Sequence, residues 1–158
     1  MPLQNGIYQI ISRLNQSSDR QLFVGVDPKH RREQSGGHIK EGTPIALVPK
    51  QKIVKVELEH IGGDNYRMTF MAREASGLNL GCDQHNLQKN NKVFVTREEV
   101  EWAIDQGNYP NCYHVQVRES GMYWTVPHDA KEHTQLKLEP LQGEEGQEWE
   151  FERIERED

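Results

Sequence analysis

A compact group of cationic side chains stands near the amino terminus of a chain whose formal net charge is −6. A serine protease with an acid at the base of its specificity pocket selects Lys or Arg by charge pairing. The segment therefore has the chemistry to enter a trypsin-like cleft, and a solvated loop without a partner is the alternative. The segment consists of Asp27, Pro28, Lys29, His30, Arg31 and Arg32.

This basic segment belongs to a long polar connection between two apolar, strand-like runs. Residues 27–43 separate residues 22–26 from residues 44–49, and both runs are rich in residues that fit a half-buried sheet. A connection of this length without its own periodicity is either functional or disordered. Pro28 stiffens its entry and the adjacent Gly36 and Gly37 permit its exit, which favours a presented binding segment.

The elements around the connection follow a pattern that occurs three times. Trp102 and Trp149 are separated by the same number of residues as Tyr66 and Tyr113, so units two and three repeat with one constant spacing. Repeated short strands with few helical signals favour a closed all-β architecture, since such hairpins must bury one face and hide their edges. The equivalent positions are Tyr8, Tyr66 and Tyr113 in the first strand of each unit, and Val56, Trp102 and Trp149 in the fourth.

The specific prediction is a single β-trefoil domain of three pseudo-symmetric units, each with four strands, spanning about 1–64, 65–108 and 109–158. Second strands are predicted at residues 22–25, 78–81 and 123–126, and third strands at residues 45–47, 93–95 and 136–138. The connections between them cover residues 27–43, 82–92 and 127–134, so unit one carries an insertion. A departure from symmetry on one unit is where a function is most economically added.

One stretch conflicts with the strand pattern. Thr96 followed by Glu99 is a helix-capping signature, and Val100, Ala103 and Ile104 fall on one helical face. The repeat requires a fourth strand at residues 100–104, so we expect at most one helical turn ahead of it.

Charge and motifs exclude several classes of function. A net charge of −6 disfavours a general nucleic-acid binder, which needs clustered Lys and Arg on a basic face. No basic region followed by an apolar run opens the chain, so we expect no membrane segment and synthesis in the cytosol. No phosphate loop, nucleophile elbow or catalytic Cys and His signature is present, so we expect a cofactor-free protein that is not an enzyme. We also expect a monomer.

Cysteine and histidine give weak signals. Cys82 and Cys112 are too few for a disulfide framework and lack the spacing of a zinc site, so buried thiols are the prediction. The seven histidines are scattered without the paired spacing of a helical metal site, and no metal is expected. The one local group that could form a metal site lies in a short loop and consists of His128, Asp129, Glu132 and His133.

The order of the framework segments resembles the mushroom β-trefoil serine-protease inhibitors, the cospin-like family, over nearly the whole chain. The resemblance implies a small cytosolic, metal-free fungal protein that inhibits trypsin-like proteases through an exposed loop, in defence against fungivores or parasites. It is carried by Gly-x-Tyr-x-Ile (6–10), Leu-Phe-Val-Gly-Val (22–26), Pro-Ile-Ala-Leu-Val-Pro (44–49), Tyr-Trp-Thr-Val-Pro (123–127), Leu-Lys-Leu-Glu-Pro-Leu (136–141) and Glu-Trp-Glu-Phe-Glu-Arg-Ile (148–154).

The family's inhibitory positions carry over unevenly. In the family, the loop after the second strand can place an Asn just past the Val-Gly pair into the protease pocket, where this chain has Asp27. An Asp does not pair with an acidic pocket, so the resemblance leaves Lys29, Arg31 or Arg32 for that role. Other members use a Lys between the last two strands, where residues 142–146 contain no basic residue.

Two other functions remain open on the same frame. One is a ricin-B-like lectin, whose repeats carry Gln-x-Trp near their ends; Gln147 and Trp149 match this motif once. A lectin would need an exposed aromatic side chain with polar neighbours, for which Tyr123 or Trp124 could serve. The other is an interaction module or a cysteine-protease inhibitor.

Overall fold

A computed structural model describes residues 3–14, 21–26, 39–50, 53–71 and 77–154. These residues form twelve strands in one hydrogen-bonded sheet system and no α-helix, and none of their elements is a helix that could span a membrane. The strands are β1 (Gly6–Ser12), β2 (Phe23–Val26), β3 (Ile45–Val48), β4 (Val56–Gly62), β5 (Asn65–Phe70), β6 (Asn79–Gly81), β7 (Phe94–Thr96), β8 (Trp102–Gln106), β9 (Cys112–Val117), β10 (Tyr123–Thr125), β11 (Lys137–Glu139) and β12 (Trp149–Arg153).

Six strands close into an antiparallel barrel. β1 pairs with both β4 and β12, and the circuit runs through β5, β8 and β9 back to β12. Side chains alternate across these strands as the two-residue period requires: Tyr66, Met68 and Phe70 of β5 are buried, whereas the residues between them are half-buried. Closure leaves no free edge in the barrel wall.

The other six strands form three hairpins that meet on a pseudo-threefold axis. The Ile45 amide donates to the Val93 carbonyl (2.9 Å), the Val93 amide to the Leu136 carbonyl (3.3 Å), and the Leu136 amide to the Ile45 carbonyl (3.0 Å). Each residue opens the predicted third strand of its unit, and all three are fully buried. These three hydrogen bonds form a closed ring, so the threefold repeat of the sequence is also present in the backbone. The architecture is therefore the predicted β-trefoil.

The residues predicted at equivalent positions of the first and fourth strands pair with each other in every unit. Within each unit the first and fourth strands pair at the same position, which places a Tyr opposite a Val or Trp. Trp102 and Trp149 are fully buried and each donates its indole N–H to a carbonyl of the second strand of its own unit. The three pairs are Tyr8 with Val56, Tyr66 with Trp102, and Tyr113 with Trp149.

One local prediction was wrong. Trp124 lies opposite Leu138 in the way that Val24 lies opposite Leu47, so the third copy of the second strand is shifted by one residue from the predicted alignment. Ahead of the fourth strand of unit two, where at most one helical turn was expected, residues 97–98 form a bend. The Thr96 hydroxyl accepts the Glu98 amide (3.0 Å) and closes a turn two residues long instead of capping a helix.

Candidate functional site

The predicted protease-binding segment lies in the connection between β2 and β3, and its own residues fall outside the described part of the chain. The first end of that connection is fixed at Val26, which pairs with Ile45 and is 1% exposed. The segment itself comprises Asp27, Pro28, Lys29, His30, Arg31 and Arg32.

The second end of the connection is anchored to unit two. Ile39 is buried in the main core, and the Gly42 amide donates to the Val95 carbonyl (2.7 Å). The Glu41 carboxylate accepts the Arg97 amide (2.9 Å) and the Thr96 hydroxyl (3.2 Å) at the end of β7. Both ends of the longest connection between second and third strands are therefore held on the frame by backbone pairing and charge-assisted hydrogen bonds.

The corresponding connection of unit two is shorter and braced by its own side chains. The Asn91 side-chain amide donates to the Asn86 carbonyl (2.7 Å), and the Asn90 backbone amide donates to the Leu138 carbonyl (2.8 Å). Asn90 has a φ of 73°, a left-handed conformation that Asn tolerates well in turns. Lys89 is exposed on this connection, which makes it a matched reference for the basic residues of unit one.

The connection between the last two strands, β11 and β12, is held in place by a buried glutamine side chain. Gln147 is fully buried, donates its side-chain amide to the Thr125 hydroxyl (3.0 Å) and the Pro140 carbonyl (2.9 Å), and accepts the Gln142 amide (2.7 Å). The outward residues of this loop are acidic, with Glu144 and Glu145 both exposed. A loop of this charge offers no cation to an acidic protease pocket.

Of the two aromatic residues proposed for a sugar site, one is excluded. Trp124 is 0% exposed and its ring packs edge-on against those of Trp102 and Trp149, so its assignment as a surface platform was wrong. Its burial follows from the shifted alignment, which turns Trp124 inward. Tyr123 faces the other way, is half-buried, and packs edge-on against the His114 ring with centroids 6.0 Å apart.

A cleft beside Tyr123 was not predicted. It encloses about 240 Å³ between the β4–β5 turn, the outer face of β8 and β9, and the turn that follows β9. Both hydrogen-bond donors and acceptors line it, and Ala103 forms its apolar floor. The lining residues are Asp64, Asn65, Ala103, Asp105, Gln116, Arg118 and Glu119.

Two carboxyl groups meet in this cleft. Burial raises the pKa of Asp105, and a hydrogen bond and charge repulsion from Asp64 raise that pKa further, while His114 opposes the shift. One guanidinium nitrogen of Arg118 donates to both carboxylate oxygens of Glu101, at 3.1 and 3.2 Å, so its charge is largely compensated. The cleft thus combines carboxyl groups, one of them with a raised pKa, with side-chain amides and a paired cation.

A buried acid lies behind the cleft. Glu148 is 0% exposed, and its carboxylate contacts the His114 ring nitrogen. Its other oxygen accepts the backbone amides of Asn108 (3.0 Å) and Tyr109 (3.3 Å) in the β8–β9 turn. His114 is the cross-strand partner of Asp105, and its ring nitrogen contacts the Glu148 carboxylate.

The cysteine prediction is confirmed, and the histidine group gives no metal site among the residues described. Cys82 and Cys112 are free and buried, and burial raises the pKa of their thiols to about 12 and about 11, respectively. Within residues 3–14, 21–26, 39–50, 53–71 and 77–154, no group of three or more His, Cys, Asp or Glu side chains could hold a metal ion. The loop containing His128, Asp129, Glu132 and His133 belongs to this described part.

No protein-family model and no curated protein sequence matches the chain. Several solved structures do match it. A designed three-fold symmetric protein, ThreeFoil, has a TM-score of 0.73 at 15% identity over 94% of this chain and 99% of its own. A Macrolepiota procera ricin B-like lectin, solved with lactose, has a TM-score of 0.71 at 13% identity over 98% and 100%.

A proteinase inhibitor from Coprinopsis cinerea is also similar, with a TM-score of 0.68 at 16% identity over 96% of this chain and 99% of that one. Likeness at these identities establishes the β-trefoil fold. It does not choose between inhibition and sugar binding, because one frame carries both activities in different proteins.

Proposed function

We propose that this protein inhibits trypsin-like serine proteases through residues 27–32, with Lys29, Arg31 or Arg32 entering the specificity pocket. The observation that supports the proposal is the anchoring of both ends of the longest inter-strand connection. Val26 is paired with Ile45 at one end, and Glu41 accepts two hydrogen bonds at the other. Fixed ends reduce the ordering cost of a binding loop, which favours inhibition over cleavage.

The loop chemistry supports the same target class. The segment supplies three permanent cations on a protein of net charge −6, and an acidic specificity pocket selects Lys or Arg. The described connections of units two and three are shorter, and the connection before β12 carries no basic residue. The site is therefore proposed for unit one alone.

The proposal is tested by measuring inhibition constants against trypsin, chymotrypsin and papain. The double variant Arg31→Ala with Arg32→Ala should raise the trypsin inhibition constant by at least about thirtyfold, equivalent to the roughly 2 kcal/mol of a binding hot spot. We expect the melting temperature to stay unchanged, because side chains that serve only to bind a partner contribute little to the stability of the free protein.

The matched control is Lys89→Ala with Lys92→Ala, which removes the same charge from two exposed positions in the connection of unit two. It should leave trypsin inhibition unchanged. Equal loss in both double variants would reduce the effect to net charge, and undiminished inhibition in the Arg31/Arg32 variant would move the site elsewhere. Inhibition of papain alone would replace the proposal with a cysteine-protease inhibitor.

A further inference from the structure

The cleft beside Tyr123 lies on a row of side chains that crosses four strands. Asn65 of β5 pairs with Ala103 of β8, Ala103 pairs with Gln116 of β9, and Gln116 pairs with Tyr123 of β10. Because these residues occupy one register position, their side chains project from the same face of the sheet. The pseudo-threefold symmetry gives this row two counterparts with which it can be compared.

At both counterpart rows the position of Ala103 is occupied by a glutamate, Glu57 in β4 and Glu150 in β12. Glutamate is the longer side chain at those two junctions, whereas the small Ala103 lines the cleft. The cleft is thus present where one unit departs from the pattern that the other two share.

The remaining members of the counterpart rows satisfy each other. In one row the Thr69 hydroxyl donates to the Asn79 side-chain carbonyl at 3.0 Å. In the other, Ile11 and Phe23 pack with Val48 in a small apolar cluster. In each of these rows, side chains of neighbouring strands contact one another across the row.

Asp105, two residues after Ala103 on the same face of β8, also differs from its counterparts in the other two units. The residues equivalent to Asp105 are Glu59, which is ion-paired with Arg67, and Glu152, which accepts a hydrogen bond from Gln9. Each partner is the direct cross-strand neighbour. The neighbour of Asp105 is His114, which is engaged by Glu148 instead, so Asp105 stays directed towards Asp64 and the cleft.

We infer that this cleft binds one neutral, hydroxyl-rich ring of a carbohydrate. A sugar hydroxyl both donates and accepts hydrogen bonds, and the cleft offers carboxyl, amide and guanidinium groups together. Its volume of about 240 Å³ is below the roughly 300–1,000 Å³ of pockets for drug-sized ligands, which fits a single ring. Tyr123, at the end of the same row, places a half-exposed aromatic ring beside the opening.

A cationic guest is the less favoured occupant. Burial first, and then a hydrogen bond and charge repulsion from Asp64, raise the pKa of Asp105, so this carboxyl is less readily charged than an exposed acid and attracts a cation less. The Arg118 guanidinium, which is paired with Glu101, also lines the cleft, and it offers hydrogen-bond donors that a sugar hydroxyl can accept and an ammonium group cannot. The inference concerns a face formed by β5, β8 and β9 with the β4–β5 turn, and it does not depend on the proposed inhibitory segment, residues 27–32.

The test is a titration of isotopically labelled protein followed by amide chemical shifts. The probes are the methyl glycosides of D-galactose, D-glucose, D-mannose, N-acetyl-D-glucosamine and N-acetyl-D-galactosamine, with ethylammonium as the cationic probe. At least one glycoside should shift the backbone amides of Asn65, Ala103 and Gln116. No response to any glycoside, or a response to ethylammonium alone, would overturn the inference.

The decisive variant is Ala103→Glu, which installs the residue that the other two rows carry. It should weaken glycoside binding by about tenfold or more, equivalent to at least about 1.4 kcal/mol. The matched control, Glu57→Ala, alters the counterpart row and should leave binding unchanged. If Ala103→Glu does not fold, Asn65→Ala serves instead and should also weaken binding; unchanged affinity in the folded variant contradicts the inference. Retained trypsin inhibition in Ala103→Glu would separate this site from the proposed inhibitory one.

Discussion

Asp105 is an acid whose surroundings disfavour its charge. Burial raises its pKa first and Asp64 adds to the shift, so the folded state binds a proton that the unfolded chain releases near the ordinary value of 3.8. The folded state therefore holds more protons over the window from 3.8 up to the raised value, and stability falls as the pH rises through it. This loss of folding stability persists at neutral pH.

Replacing Asp105 with Asn removes this deficit while keeping the shape and a donor for Asp64. We expect Asp105→Asn to raise the melting temperature at neutral pH, with the gain shrinking as the pH is lowered towards 3.8. Thermal melts at a series of pH values measure the effect. The control is Asp129→Asn, an exposed acid, which should show no such trend. A gain that is constant with pH would assign the effect to packing instead of charge.

At the scale of elements, Glu148 joins strand β12 to the β8–β9 hairpin. Its side chain accepts two backbone amides of the hairpin turn and contacts His114 from β9. The turn approaches closely because residue 107 is glycine: a Cβ there would lie 2.2 Å from the Glu148 carboxylate. One buried side chain thus fixes the position of an entire hairpin end.

Truncation of this side chain should be costly. We expect Glu148→Ala to lower the free energy of unfolding by about 3–5 kcal/mol, because removing the carboxylate leaves the buried His114 without its partner and the amides of Asn108 and Tyr109 without their acceptor. Urea denaturation measures the change. Glu144→Ala, at an exposed position four residues earlier, should stay within about 0.5 kcal/mol of the parent. A comparable loss in both variants would mean that the carboxylate position is immaterial.

The strands were predictable because the repeat overrides local ambiguity. The conflict between a helix-capping signature and a strand at residues 96–104 was resolved by the period, and β8 begins at Trp102 as the column requires. The register of β10 was not predictable in the same way. Residues 122–126 form an unbroken run of sheet-favouring side chains, so nothing local shows which of Tyr123 and Trp124 faces the core.

At the scale of the molecule, the cleft escaped prediction because its residues come from different units. Asp64 and Asp105 are distant in sequence and meet only when the β4–β5 turn lies against β8. A signal was nevertheless present: Ala103 and Asp105 occupy columns in which the other units have Glu57 with Glu59 and Glu150 with Glu152. A column-by-column comparison of the three units detects this break in the repeat, and the break marks the junction where the cleft lies.

The interlocked barrel also predicts how the molecule unfolds. Each unit shares barrel strands with both neighbours, as in the pairs of β4 with β5, β8 with β9, and β12 with β1. Loss of one unit removes hydrogen-bond partners from the next, which favours a single cooperative transition. Cys82 and Cys112 lie in different units and are 1% and 2% exposed, so they report on this transition from two places.

Alkylation by iodoacetamide across a urea series provides the measurement. With pKa values of about 12 and about 11, both thiols lack the reactive thiolate form near neutral pH while the protein is folded. We expect neither to be labelled in native buffer and both to become reactive at the urea concentration where tryptophan fluorescence changes. Peptide mass spectrometry assigns each site, and full denaturation gives the reference labelling. Earlier labelling of one thiol would show that its unit opens alone and would contradict a single transition.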